Sequence, residues 1–171
     1  MDSQSIALGG GCHWCTEAVF QSLNGVIKVE QGFLASENES ASFSEAVIVY
    51  FNPKKIALKT LIEVHIHTHK STSDHIMRKK YRSAIYTFSK EQNILVSKIM
   101  KEFQITFNNQ LITRVLSFKK FKPSSEQFHD YFYSNPEKPF CKTYINPKLK
   151  CILEKFSTHI KKEKIQLILN Q

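Results

Sequence analysis

Short apolar runs alternate along the chain with longer stretches in which apolar side chains return every three or four positions, the two periods that separate strands from helices. The first run, Ser5-Ile6-Ala7-Leu8, predicts a strand ended by Gly9-Gly10-Gly11, three residues that let the backbone turn sharply or come close to a ligand. Beyond Cys12, the residues Trp14, Ala18, Val19 and Leu23 recur at helical spacing, and Asn24-Gly25 supplies the stop. Positions 26–34 predict a second strand, with Gly32 as a bulge position. The small, acidic stretch 35–42 reads as a loop, and 45–51 as a strand closed by Asn52-Pro53. Leu58, Leu61, Ile62 and Ile66 place a helix over 56–68, followed by an irregular basic segment, 69–80. A strand over 82–88, a helix capped by Ser89 and running to 107, and a strand over 113–118 come next. The pattern ends with a short helix over 125–133, broken by Asn135-Pro136, and a basic helix over 147–169 opened by Pro147.

Strands and helices alternate without an internal repeat, so the expected class is α+β: a two-layer or three-layer sandwich around a central mixed sheet, with right-handed crossovers. The 171 residues, 42% of them apolar, suffice for one domain with a sizeable core, and argue against disorder. No apolar run approaches the roughly 20 residues of a membrane-spanning helix. Met1-Asp2-Ser3-Gln4-Ser5 is neither basic nor followed by a long apolar stretch. The expectation is therefore a cytoplasmic protein, made without a signal peptide and with no membrane partner. Four cysteines are too few for a disulfide scaffold. The net charge of +9 is unevenly spread: residues 1–50 carry six acidic side chains against the single basic Lys28. Lysine-rich helices of this kind are ordinarily solvated faces, and no nucleic acid partner is expected.

Chemistry concentrates where the first strand gives way to the first helix. There Cys12 would meet the unpaired N–H groups and the positive dipole end of the helix, which stabilise a thiolate. A thiol that ionises near neutrality is a nucleophile, and Trp14, the only tryptophan, would wall an apolar pocket beside it. The alternative is an ordinary small core residue next to a core aromatic. Cys12 and Cys15 also form a C-x-x-C pair, which leaves open a thioredoxin-like redox couple or half a zinc site. Cys141 and Cys151, ten apart, are a poor second half, and the helical spacing around His65, His67 and His69 would scatter those three. No metal is expected.

Gly10-Gly11-Cys12-His13-Trp14-Cys15-Thr16-Glu17 resembles the G-C-F-W-x-x-E signature of the type A peptide methionine sulfoxide reductases. Three further blocks agree in order and approximate spacing. Ser44-Glu45-Ala46-Val47 is similar to the family's H-A-E-A-V strand, and Tyr81-Arg82-Ser83-Ala84-Ile85-Tyr86 to its Y-R-S-A-I-Y strand. His129 through Asn135-Pro136 to Cys141 is similar to its late H-Q-x-Y, N-P, Y-C region. The likeness covers roughly residues 5–156, and four blocks in register are a specific signal.

The resemblance implies a ferredoxin-like domain over 1–171, with its core over 5–156 and a basic C-terminal helix over 147–169. It also implies reduction of methionine S-sulfoxide, free or in proteins, by a peptide-methionine (S)-S-oxide reductase that uses thiols and no cofactor. On this reading Cys12 is the nucleophile and Glu45 the general acid, kept protonated by burial. Tyr81 donates a hydrogen bond to the sulfoxide oxygen, while His13 and Trp14 line the methyl pocket. Cys141 resolves the sulfenic acid, with Cys15 as the alternative, and thioredoxin regenerates the enzyme, a monomer. The chain departs from the pattern at His13, where the family has Phe, at Phe43, where it has His, and in a shortened 35–43 loop lacking the family's tyrosine. Those departures keep two rivals in view: a weakened binding protein on the same fold, and a general thiol–disulfide oxidoreductase using Cys12 and Cys15.

Overall fold

A computed structural model describes residues 2–170; Met1 and Gln171, included in the expected domain, lie outside the described residues. Six strands form one sheet: β1 (Gln4–Gly9), β2 (Val26–Ala35), β3 (Ser44–Phe51), β4 (Ala84–Thr87), β5 (Arg114–Ser117) and β6 (Lys120–Pro123). Their order across the sheet is β5-β4-β1-β3-β2-β6. Only the β4–β5 pair is parallel, so the sheet is mixed. The helices are α1 (His13–Gln21), α2 (Leu58–Thr68), α3 (Lys90–Thr106), α4 (Tyr131–Ser134), α5 (Asn146–Lys155) and α6 (Lys162–Leu169). The inner four strands, β4-β1-β3-β2, with α1 and α2 as crossovers, make the ferredoxin-like βαββαβ unit, and β5 and β6 extend it at the two edges.

Alternation along the strands decides which face the helices cover. Ile6, Leu8, Val47, Val49, Phe51 and Ile85 point to one side, where they share a core with side chains from α1, α2, α3 and α5. Ala7, Ala46, Ile48, Ala84 and Tyr86 point to the other, where a small second cluster is closed only by strand and loop residues such as Phe118 and Phe121. The sandwich therefore has two layers. Helix α1 is buried almost all round, from His13 through Phe20, because it lies between the sheet, α2 and the C-terminal helices. Emptying a site such as Phe20, which is fully buried, typically costs about 3–5 kcal/mol. Helix α3 begins with a side-chain cap: Ser89 Oγ accepts from the Gln92 amide at 3.1 Å, and Gln92 Oε1 reaches back to accept from the amide of Phe88, the residue before the cap, at 2.9 Å.

Several expectations need correction. The helix expected over 147–169 is two helices, α5 and α6, separated by a turn at Ser157–His159. The break is tertiary: Phe156 and Ile160 are buried, Asn24 N donates to His159 O at 2.6 Å, and Lys161 N donates to Ser22 O at 2.8 Å, tying the chain across the end of α1. The helix expected over 125–133 is a single tight turn, Glu126–Phe128, and the one-turn α4, parted by Asp130 in a left-handed conformation (φ 53°). Gly32 is not a bulge, the irregularity in β2 lying between Val26 and Lys28. Gly32 is needed because a Cβ there would strike Lys122 O and the Phe121 ring of the neighbouring strand. Strand β6 had no sequence signal, its KFKP being short and half basic. No helix among the described residues is long and apolar enough to cross a membrane.

Candidate active site

Cys12 is the N-cap residue of α1, its carbonyl accepting the first helical bonds from Cys15 N at 3.1 Å and Thr16 N at 3.2 Å. The half-buried thiol is held below its ordinary value chiefly by a hydrogen bond from the Cys15 side chain, with the amides of Trp14 and Cys15 adding to the effect against burial and the Glu45 charge. Cys15 bears the opposite consequence: its thiol is pushed far up by the same hydrogen bond and by burial, so it remains S–H beside Cys12. Sequence spacing suggested the helix dipole as the activating influence; the structure adds a neighbouring thiol as the foremost donor.

Glu45, the second residue of β3, pairs with Phe33 of β2 and is buried with only 6% exposure. Its Oε1 lies 3.3 Å from the His13 amide and 3.2 Å from His13 Nε2, while Lys80 Nζ approaches Oε2 at 3.7 Å. The other imidazole nitrogen of His13, Nδ1, is 2.7 Å from Gly32 O, and the ring meets Phe33 edge-on at 5.1 Å. Burial pushes the His13 imidazole below its ordinary value, outweighing the support from Gly32 O and the Glu45 charge. His13 thus faces the carboxyl group and β2, in addition to lying beside Trp14 at 6.4 Å.

Trp14 is one wall of an aromatic cup. Tyr131 stacks on it at 4.1 Å and 8°, Phe128 lies at 5.4 Å, and Phe140 stands edge-on at 5.2 Å. The Tyr81 ring lies under Lys80 Nζ at 5.1 Å, and the Tyr81 backbone is pinned by Met77 O and Arg78 Nη1. Because Lys80 O receives Glu45 N at 3.0 Å and Ser44 Oγ at 2.8 Å, the segment carrying Tyr81 is fastened to the start of β3. Cys12, His13, Trp14, Glu45 and Tyr81 therefore come from three separate stretches to one end of the sheet.

The remaining expected thiols divide. Cys15, one helical turn along α1, lies in the field of Cys12. Cys141 is fully buried, its sulfur 3.7 Å from Asn135 O, and its charge would be felt by Cys15 and Tyr131. Cys151 is half-buried on α5, its sulfur 4.0 Å from His67 O. Of the three histidines expected to scatter, His67 does turn away, but His65 and His69, one helical turn apart, meet at 4.2 Å. Both are structural: His65 Nε2 lies 2.8 Å from Gly9 O, and His69 Nε2 lies 2.8 Å from Ser83 Oγ. Among the described residues no three His, Cys, Asp or Glu side chains are grouped as metal ligands.

Sequence reasoning missed three neighbours of the thiol. Tyr131 was only one of several aromatics in the late block. Lys80 and Lys148 stood among many lysines, and only the fold separates them from the solvated ones. Lys148 is half-buried on α5, donates to Thr68 O, and is in the field of Cys15, Cys12 and Cys151.

A thiol held below its ordinary value at a helix N-terminus shares one end of the sheet with a buried carboxyl group that acts on it through its charge and with an aromatic cup around Trp14, an arrangement that fits a thiol-dependent reductase. The peptide methionine sulfoxide reductase family model matches residues 4–161, and the chain belongs to that family. Among curated relatives, a peptide methionine sulfoxide reductase of Thermus thermophilus is 31% identical over 87% of this chain and 93% of its own length. One of Trichodesmium erythraeum is 30% identical over 91% and 97%. Among solved structures, reduced Mxr1 from Saccharomyces cerevisiae superposes with a TM-score of 0.70 at 26% identity, over 83% of this chain and 91% of that one. Mxr1 in complex with Trx2 also matches, with a TM-score of 0.60 at 26% identity over 74% and 84%.

Proposed function

We propose that this chain reduces methionine S-sulfoxide, in proteins and as the free amino acid, with Cys12 as nucleophile and Glu45 as general acid. The observation that carries the reading is the meeting of Cys12, Glu45 and the Trp14 cup at one end of the sheet, in a member of this family. The Cys12 thiolate attacks the sulfoxide sulfur, and the oxygen takes a proton from Glu45. The sulfur–oxygen bond breaks as the oxygen passes to Cys12, giving a thioether, a sulfenic acid on Cys12 and the Glu45 carboxylate. Trp14 holds the S-methyl group, and Tyr81 donates to the oxygen.

A second thiol then condenses with the sulfenic acid, releasing water. Cys15 is proposed for that step because it lies within one helical turn of Cys12 and in its field, whereas Cys141, the position aligned by resemblance, stands on a separate element, Cys141–Ile145. Thioredoxin, a dithiol, reduces the resulting disulfide, a role supported by the Mxr1–Trx2 complex. A monomeric domain over 1–171, working in the cytoplasm where dithiol reductants keep its four free cysteines reduced, completes the reading. His13 and the short 35–43 loop adjust the pocket without removing any of these groups.

Incubation with dithiothreitol and each sulfoxide epimer tests it. S-selective turnover abolished in Cys12→Ser supports the reading. Disulfide reduction without sulfoxide turnover would instead favour a general oxidoreductase, and silence in both a binding protein. With thioredoxin as reductant, Cys15→Ser should stop cycling after one turnover while Cys141→Ser continues; the reverse returns the resolving role to Cys141.

A further inference from the structure

His13 stands where the resembling family has an apolar ring, and its surroundings are those of a proton holder. We infer that His13 is a positioning residue for the acid step, its neutral imidazole accepting the Glu45 carboxyl proton and keeping it loaded between turnovers. The inference rests on the reading of Glu45 as the acid.

The argument starts from donors and acceptors. Gly32 O, at 2.7 Å from Nδ1, is a carbonyl and can only accept, so Nδ1 carries a proton. Burial disfavours a second proton on the ring, leaving Nε2 a lone pair. That lone pair faces Glu45 Oε1 at 3.2 Å. Two lone pairs at that distance repel, and one proton between them turns repulsion into a hydrogen bond. The carboxyl hydroxyl supplies it, donating to Nε2 while its oxygen accepts from the His13 amide at 3.3 Å. Phenylalanine at this position offers no acceptor.

The charged groups around the pair come from every side. Lys80, on the segment before β4, approaches the other carboxyl oxygen at 3.7 Å. The Cys12 thiolate, at the head of the same helix, is in the field of Glu45, and His129, before α4, is in the field of His13. From β2 come only Gly32 O and the Phe33 ring. With substrate in the cup, rotation of the hydroxyl about its own C–O bond turns the proton from Nε2 to the sulfoxide oxygen. The carboxylate left behind is reloaded after recycling, when the reduced Cys12 thiol ionises and its proton passes to Oε1. Each turnover thus spends and restores one proton.

Two measurements test the inference. Nitrogen-15 NMR of the imidazoles in the wild-type chain at neutral pH should show His13 protonated on Nδ1 and unprotonated on Nε2. A ring protonated on both nitrogens, or on Nε2 alone, would overturn it. The second is the pH dependence of sulfenic acid formation on Cys12 in a single turnover. Phenylalanine fills the same buried site, so His13→Phe chiefly removes the acceptor. The limb on which the rate falls with rising pH should move down by about one pH unit, the worth of one net hydrogen bond. An unmoved limb in His13→Phe, with turnover still lost in Glu45→Gln, sinks the role of His13 and leaves the proposed function standing. Full-rate turnover in Glu45→Gln sinks both.

Discussion

The imidazole of His69 occupies the space in which a side chain at position 10 would stand: a Cβ on Gly10 would lie 2.7 Å from His69 Nε2. The same ring hydrogen-bonds Ser83 Oγ, which continues to Thr113 Oγ1 at 2.8 Å. Gly10 O in turn receives Arg78 Nη1 at 2.8 Å. The glycine next but one to Cys12 is therefore required by a close approach and not by a left-handed turn, since Gly25 is the only glycine with positive φ among the described residues. Gly10→Ala must displace either His69 or the strand end that aims Cys12. Overpacking of this kind costs about 1–3 kcal/mol. A lower denaturant midpoint and slower alkylation of Cys12 are expected, while Gly11→Ala, with nothing within 4 Å of its Cβ, should change stability little. Equal effects at the two positions would refute the packing argument.

Stability should fall in mild acid because of His65. Its imidazole is buried, bonded to Gly9 O, and pushed down to about 4 chiefly by burial. The unfolded chain binds a proton near pH 6.5, so it gains protons first as pH falls. The contribution from neutral His65 is complete above pH 6.5 and disappears as pH drops through about 4. Its ceiling, from the shift at 1.36 kcal/mol per unit, is about 3 kcal/mol. Urea melts at pH 7.5, 6 and 5 should show wild type losing stability faster than His65→Asn, and parallel curves would rule the mechanism out.

Lys148 is expected to act on the thiols through its charge. Burial lowers the ammonium, and the proximity of Cys15, Cys12 and Cys151 holds it up. By reciprocity, removing the charge raises the thiols. Lys148→Met should slow alkylation of Cys12 at pH 7 about three-fold, the effect of a half-unit shift on thiolate fraction. The rates should converge at alkaline pH, where the thiol is ionised in both. A uniform slowing across all pH values would point to lost access and contradict the electrostatic account.

Much of the core was readable because local and tertiary preferences agree there. The apolar run at β1, the helical spacing of α2 and the Ser89-x-x-Gln92 cap each specify their element without help. Cys12, Trp14 and Glu45 were legible because their blocks follow a known pattern. What escaped was set by distant partners. The break between α5 and α6 is made by the end of α1, β6 by pairing with β2, and the chemistry of His13 by a carboxyl group 32 residues away in sequence. Tyr131 and Lys148 belong to the same category, since nothing nearby in sequence distinguishes them from surface aromatics and lysines.

The stacked pair Trp14–Tyr131 supplies the last prediction. Trp14 is the only tryptophan in the chain, so its fluorescence reports the cup alone. Tyr131 lies parallel to the indole at 4.1 Å, and Lys138 Nζ covers the Tyr131 ring at 3.9 Å. An aromatic pair contributes about 0.5–1.5 kcal/mol beyond its buried area. If Tyr131 keeps Trp14 posed against the S-methyl group, Tyr131→Ala should raise KM for the S-sulfoxide up to about ten-fold, as 1.4 kcal/mol corresponds to a factor of ten. Tyr131→Phe, which keeps the ring, should retain most of the affinity. Titration of the indole emission with substrate reads binding directly. Loss of affinity in Tyr131→Phe as large as in Tyr131→Ala would show that the hydroxyl matters, and the stacking account would then be wrong.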